Sequence, residues 1–373
     1  MGDPLVVLPT ELILIVLSFL DLPSLYSATT ALASAARIWD AHAVPITEAA
    51  LARLPRGTRR CIRAVAIVQK MAVPCSSLDV FAWFHLYGHA SDIPLLRLGP
   101  EHARRLLHKA WRLHWLAQAC LGDFQARSAS ACVPWKNTTT TTGLLHQPSG
   151  RPPQQLQEST PISWVEEHRV LRALWRLQLY LEVRAAPHVF SSADLPALSY
   201  STLWAKLPAF ELQELCTIAD YLRESMRADE VSESCISHSE ADSNNDNNHH
   251  HAENVLGGLP RLTPDMVQPT WPIRELDPSP AAYFREQDST HLQHASPGYL
   301  ALVRLHGCRL DSLSRTIGET KMHALRWLGV FLWDKQRMIA LGLDSGGFRR
   351  SSLLLLRRSS QEDSSLEVRW RGL

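Results

Sequence analysis

The chain has 373 residues, 45% of them hydrophobic and 20% charged, with 38 Lys and Arg against 37 Asp and Glu and a formal net charge of +1. That is ample apolar chain for a real core and too much for wholesale disorder. The even charge balance excludes a surface built throughout for nucleic acid. Seventeen glycines and 23 prolines exclude collagen-like and low-complexity fibres.

The first element in chain order begins at Leu8-Pro9-Thr10-Glu11. Pro9 suits a first helical turn, where its missing N–H goes unused, and Glu11 complements the helix dipole. An apolar run from Leu12 to Leu17 carries the helix on to about Leu20. Asp21 or Ser24 can cap a second helix starting around Pro23. The run is far short of the roughly 20 apolar residues of a membrane span. Asp3 and Glu11, both acidic, are the only charged side chains before it, which does not suit a signal peptide. Neither a signal nor a span is therefore expected, and a cytoplasmic or nuclear protein is. Leu12 to Phe19 is apolar on every side except at Ser18. Such a helix needs cover on both faces, and a segment of about 45 residues is too small to supply it alone. The second cover must be the rest of the chain or another protein.

The residues that stand out are Leu8, Pro9, Glu11, Leu12, Val16, Leu17, Phe19, Leu20 and Leu25. A leucine-proline-x-glutamate start, a hydrophobic run, a closing leucine and a second helix near a further leucine together resemble an F-box. That helical module docks substrate-recruiting subunits on the Skp-type adaptor of cullin–RING ubiquitin ligases. The resemblance implies that these nine residues are adaptor-facing or core, and it covers about an eighth of the chain. It continues more loosely through Ala31 to Trp39, where Arg37 and Trp39 stand in for the basic and aromatic positions of many F-boxes.

Two compositional breaks follow, over 126–160 and 229–260. The first holds the run Thr138 to Thr142 and Pro148, Pro152 and Pro153. The second is acidic and polar and holds Asn244-Asn245-Asp246-Asn247-Asn248 before His249, His250 and His251. Both lack the apolar residues that offset ordering entropy and read as disordered insertions. The expected organisation is an F-box-like module over 1–45, a helical body over 46–125, 161–228 and 261–373, and flexible segments between.

Within the body, Pro100 to Leu121 carries Ala103, Leu106, Leu107, Ala110, Leu113, Ala117 and Leu121 at helical spacing. Ser163 with Glu166 predicts a capping box opening a helix over Trp164 to Arg184. Val170, Leu174, Leu177 and Leu181 form one stripe there, and Leu171 with Trp175 a second, so burial on most sides is expected. Pro208 to Arg223 is a further helix, with Leu212, Leu215, Ile218, Ala219 and Leu222 on its apolar face. A last helix is predicted over Lys321 to Leu343, with Leu325, Leu328, Phe331, Leu332, Trp333, Ile339 and Leu341. Gly329 weakens its middle and Gly342 is a C-cap candidate. The stretches Trp164 to Leu179 and Gly329 to Leu343 also resemble the helical bodies of fungal F-box proteins.

Chemical motifs are few. The seven cysteines, Cys61, Cys75, Cys120, Cys132, Cys216, Cys235 and Cys308, are odd in number with no C-x-x-C spacing. That fits a reducing compartment rather than a disulfide framework or zinc ribbon. There is no G-x-S-x-G, phosphate-binding glycine loop, H-E-x-x-H or dinucleotide fingerprint. Ser345-Gly346-Gly347 reads as a turn. Asn137-Thr138-Thr139 fits a glycosylation acceptor that lacks a secretory context. His249 to His251 sit in low-complexity sequence without a second shell, so no metal site is expected. Arg104, Arg105, His108, Lys109 and Arg112 lie opposite an apolar stripe and read as a solvated face rather than a phosphate or nucleic-acid patch.

The expectation is an all-α, non-catalytic adaptor without cofactor or metal. Its F-box-like start would dock on a Skp-type adaptor, and through it on a cullin–RING ligase. Its body would hold an unknown protein substrate, with no nucleic acid or membrane partner. The alternative is a helical interaction scaffold whose first hairpin packs internally.

Overall fold

A computed structural model describes residues 3–70, 99–132, 161–186, 207–236, 295–306 and 319–340. Among them the secondary structure is all α, with ten helices and no strand. Helix α1 spans Thr10–Phe19, α2 Leu22–Ala31, α3 Ala33–Ala52, α4 Arg56–Lys70 and α5 Pro100–Cys132. Then come α6 Trp164–Ala185, α7 Ala209–Ile236, α8 Pro297–His306, α9 Glu319–Trp327 and α10 Lys335–Ala340. Helices α1 and α2 both lie on α3, and α2 and α3 lie on α5. Helix α6 touches α4, α5 and α7, and α9 packs on α7. One apolar cluster runs from Ile13 and Leu17 through α5 and α6 to Trp333. The N-terminal hairpin therefore shares its core with the body.

Local chemistry explains most boundaries. Asp21 caps α2, its side chain accepting from the Ser24 amide at 2.8 Å. Helix α3 passes through Pro45 and kinks at His42 (φ −131°, ψ 26°), because proline lacks an N–H and its ring crowds the carbonyl four residues back. It runs on to Ala52, beyond the expected module end at residue 45. The expected stripe of α5 is buried from Ala103 to Leu121. The helix continues to Cys132, seven residues into the stretch read as a linker. Alanine and serine sustain a helix without an apolar signature, so composition misplaced that boundary. Helix α7 likewise extends past Arg223 to Ile236.

Helix α6 opens on the expected capping box: the Glu166 amide donates to Ser163 Oγ (3.3 Å) and the Ser163 amide to Glu166 Oε2 (3.0 Å). Val170, Leu174 and Trp175 are buried as expected, but so are Glu166, His168, Arg169, Arg172 and Arg176.

The predicted helix over 321–343 is two helices. Helix α9 stops because Gly329 adopts φ 70°. Its amide donates to Arg326 O (2.8 Å), and the Val330 amide to Leu325 O (3.1 Å), the paired bonds of a Schellman terminator. A Cβ on Gly329 would sit 3.0 Å from the Phe124 ring and 3.1 Å from Trp333, so glycine serves both φ and packing. The tight turn that follows buries Val330, Phe331, Leu332 and Trp333. Gly342, Leu341, Leu343, Asn137 to Thr142, His249 to His251 and Ser345 to Gly347 lie outside the described residues, as do 133–160 and 237–260 of the expected insertions.

Candidate docking surface

The nine singled-out residues, on α1, at its ends and on α2, divide between a core side and an open side. Ile13 and Leu17, one turn apart, are buried on the side packed against α3. Leu25 of α2 is fully buried as well. Leu17 and Leu25 therefore belong to the core that holds the hairpin, and Leu20 is half-buried at its edge. The opposite face is open. Leu8 is 37% exposed, Leu12 47%, Ile15 52%, Val16 44% and Phe19 75%. Their spacing of about four, seven to eight and eleven residues makes one stripe along the helix. Pro9, at the N-cap, and Glu11, in the first turn, are exposed beside it. Ile15 was not singled out from the sequence. Its position one turn before Phe19 was the available signal.

Both ends of this region are held by residues distant in sequence. Arg53, just after α3, donates through Nη1 to Ser18 O and through Nη2 to Leu20 O. It thereby supplies the cation that the last turn of α1 lacks. At the other end, Asp3 Oδ2 accepts from the Ser34 amide (2.8 Å) and Ser34 Oγ (2.6 Å). Asp3 Oδ1 accepts from the Leu5 amide (2.9 Å). The N-cap residue of α3 is Leu32, whose side chain cannot cap, so Asp3 caps the helix from 31 residues before Ser34. The Ser34 hydroxyl and amide hold the Asp3 carboxyl below its ordinary value.

The basic face of α5 is engaged rather than free. Arg104 pairs with Asp40 (2.5 Å), Arg105 with Glu101 (3.4 Å) and Lys109 with Glu182 of α6 (2.7 Å). His108 stacks near Tyr26 and Trp111. Burial first, then Arg112 and Lys109, push its pKa down. Trp111 and Trp115 are half-buried at the α2–α5 junction.

A second polar assembly lies inside the body. Arg172 bonds Glu211 (2.8 Å) and Glu214 (2.5 Å), and Arg176 bonds Glu211. Arg169 donates to Leu332 O (2.9 Å) and Trp333 O (3.0 Å). The Glu166 carboxylate accepts from Arg337 Nε (2.8 Å) and Nη2 (2.9 Å) and from the Asp334 amide (3.1 Å). His168 stacks on Trp164 at 5.0 Å and meets Thr58 Oγ1 at 3.3 Å. Burial, with Arg172, Arg169 and Arg176 close by, lowers its pKa far below the usual value. Burial also raises the Glu214 carboxyl against the pull of Arg172 and Arg169. These groups bond largely to one another and to the Leu332 and Trp333 carbonyls, the pattern of a joint between helices. Among the described residues no cluster of His, Cys, Asp and Glu has metal-holding geometry. No helix there is long and apolar enough to cross a membrane.

No family model, no curated protein and no solved structure matches the chain.

Proposed function

We propose that the protein is a substrate-recruiting adaptor subunit of a Skp–cullin–F-box ubiquitin ligase. Leu8, Pro9, Glu11, Leu12, Val16 and Phe19 would dock on the Skp-type adaptor, with Ile15 beside them. Leu17, Leu20 and Leu25 would keep the docking helix in place. The helical body would hold a protein target. The subunit would act by raising the target's effective concentration near a ubiquitin-charged enzyme. Ubiquitin transfer would belong to partner subunits, and this chain would carry no active site of its own. A ligase subunit of this kind works in the cytoplasm or the nucleus.

The observation that supports this reading most is the open apolar stripe directly after Leu8-Pro9-x-Glu11, on a helix whose other face is fixed to α3. Leaving five large apolar side chains about half open forgoes about 1 kcal/mol each relative to burial, which a partner recovers. In the scaffold reading the chain itself would cover this face, whereas among the described residues nothing covers Leu12, Val16 and Phe19. The test is recovery of the Skp-type adaptor and the cullin with the tagged full chain, beside Leu12→Asp/Val16→Asp. Both recovered with wild type and neither with the variant supports the reading. Neither recovered with wild type refutes it.

A further inference from the structure

His168 is buried where helices meet, and its neighbours are unevenly charged. Its own helix α6 brings Arg169, Arg172 and Arg176 close, α7 brings Glu211, and α4 brings the neutral Thr58 hydroxyl at 3.3 Å. Helix α5 engages the preceding position instead, where His114 and Gln118 meet Glu167 at 3.3 and 3.0 Å. A proton on the buried ring would add a fourth cation to three guanidiniums that share two carboxylates, Glu211 and Glu214. Only water can relieve that charge. It reaches the ring most easily beside α4, because Thr58 offers no charge to hold an imidazolium. Trp164, which stacks on the ring at 5.0 Å, is itself 40% exposed.

The turn of α4 that covers the ring is also weakly held. It carries Arg56 and Arg59 and no acid, so cations stand at the positive end of the helix dipole. Helix α6, by contrast, is bonded to Glu211 and Glu214 of α7 and to the Leu332 and Trp333 carbonyls. Helix ends open at far lower cost than the whole fold.

We propose that the first two turns of α4, from Arg56 to Arg63, are an acid-opened flap with His168 as its trigger. Protonating the ring frees the Thr58 end of α4 from α6 while the joint between α6 and α7 stays closed. The flap rests on the packing of the body and is independent of the adaptor reading. Burial and the arginines keep the enclosed ring neutral, and a ring in water takes its proton near pH 6.5. The open fraction should therefore rise up to about tenfold per pH unit below about 6.5.

Cys61 reports the flap. It is buried on α4 beside Arg176, three residues past Thr58. Cys120 of α5, also buried, reports the rest of the body. The test is labelling of the full chain with an aromatic disulfide that reacts with thiols in acid. Peptide mass spectrometry reads each rate, which is divided by that of the same cysteine in urea at the same pH. From pH 7 to pH 5 the corrected Cys61 rate should rise about 25-fold. Low urea should leave it almost unchanged, as a small opening does. Cys120 should react far more slowly and gain steeply with urea. His168→Gln should cut the Cys61 rise below about threefold. Arg176→Gln leaves the ring in place, removes one cation beside it and should reduce the rise as well. A flat Cys61 rate in wild type, or a rise of full size in His168→Gln, overturns the trigger. A Cys61 rate that tracks Cys120 in both pH and urea overturns the flap, since acid would then be unfolding the whole body.

Discussion

Removing the Glu166 carboxylate tests how the C-terminal helices are held. Glu166 is fully buried, and its carboxylate accepts four bonds, from the Ser163 amide, the Asp334 amide and two nitrogens of Arg337. Arg337 is itself buried and lies 4.7 Å over the Trp333 ring. Glu166→Ala therefore takes the carboxylate from a buried guanidinium, and the acceptors from two amides. Breaking a buried pair on one side costs about 3–5 kcal/mol. At roughly 2 °C per kcal/mol for a chain of this size, the melting temperature should fall by about 6–10 °C. Glu166→Gln keeps an oxygen for the capping box and should lose about half as much. Glu166→Leu with Arg337→Met leaves no unpaired charge and should recover much of the loss. Calorimetry and urea midpoints on the four proteins decide it. A Glu166→Ala protein within about 1 kcal/mol of wild type would refute the account of this joint, since Glu166 supplies acceptors to both the Asp334 amide and the Arg337 guanidinium.

Three further outcomes follow from particular residues. Gly329→Ala meets both the positive φ and the Phe124 and Trp333 rings, and should cost about 2–4 kcal/mol in urea unfolding. A loss under about 0.5 kcal/mol would contradict the terminator. His168 has its folded pKa lowered by burial and by the nearby arginines. Its neutral form is the folded form, so its contribution is complete above about pH 6.5 and is lost as pH falls below that, by up to about 1.4 kcal/mol per unit for one proton. The urea midpoint of wild type should drop between pH 7.5 and 5.5 more than that of His168→Gln. Burial pushes the Cys61 thiol up to about 12 and raises Cys120 further. At pH 8 neither should react with iodoacetamide in the native protein, while both do in urea. Labelling of Cys61 in the native protein within minutes, read by mass spectrometry, would contradict its burial.

How far the sequence spoke for the structure depended on the range of each interaction. The Ser163–Glu166 capping box, the Asp21 cap and the stripe from Ala103 to Leu121 are local patterns, and they were legible. Helix α4 was not singled out. Arg56, Arg59, Arg60 and Arg63 obscure its apolar side of Cys61, Ile62, Val65 and Val68. The sequence led to burial on most sides of α6 but not to its buried arginines, because the partners of Arg172 and Arg176, Glu211 and Glu214, lie 35 to 42 residues on. No periodicity reports such a pairing. Gly329 was noticed but taken for a weak point within a helix. Its role depends on Phe124 and Trp333 crossing it, which is tertiary information.

For the candidate surface, the apolar run marked α1 as needing two covers without saying which side faced which. Leu17 and Leu25 turned inward, and Leu12, Val16 and Phe19 stayed open. The Asp3–Ser34 and Arg53–Ser18 contacts that frame this face span more than 30 residues, so no local pattern could show them.

The central claim is that the open face of α1 is a docking site for a Skp-type adaptor. Its most direct test is the dissociation constant of the purified full chain with that adaptor, measured by calorimetry for wild type and for Leu12→Asp/Val16→Asp, with circular dichroism on both. Leu12 and Val16 are already half open, so the variant should keep its helical spectrum. It should lose about a hundredfold or more in affinity, as central apolar anchors do. Tight binding by wild type and loss in a still-helical variant is the predicted result. Absence of binding by wild type, or equal binding by both proteins, would contradict the claim.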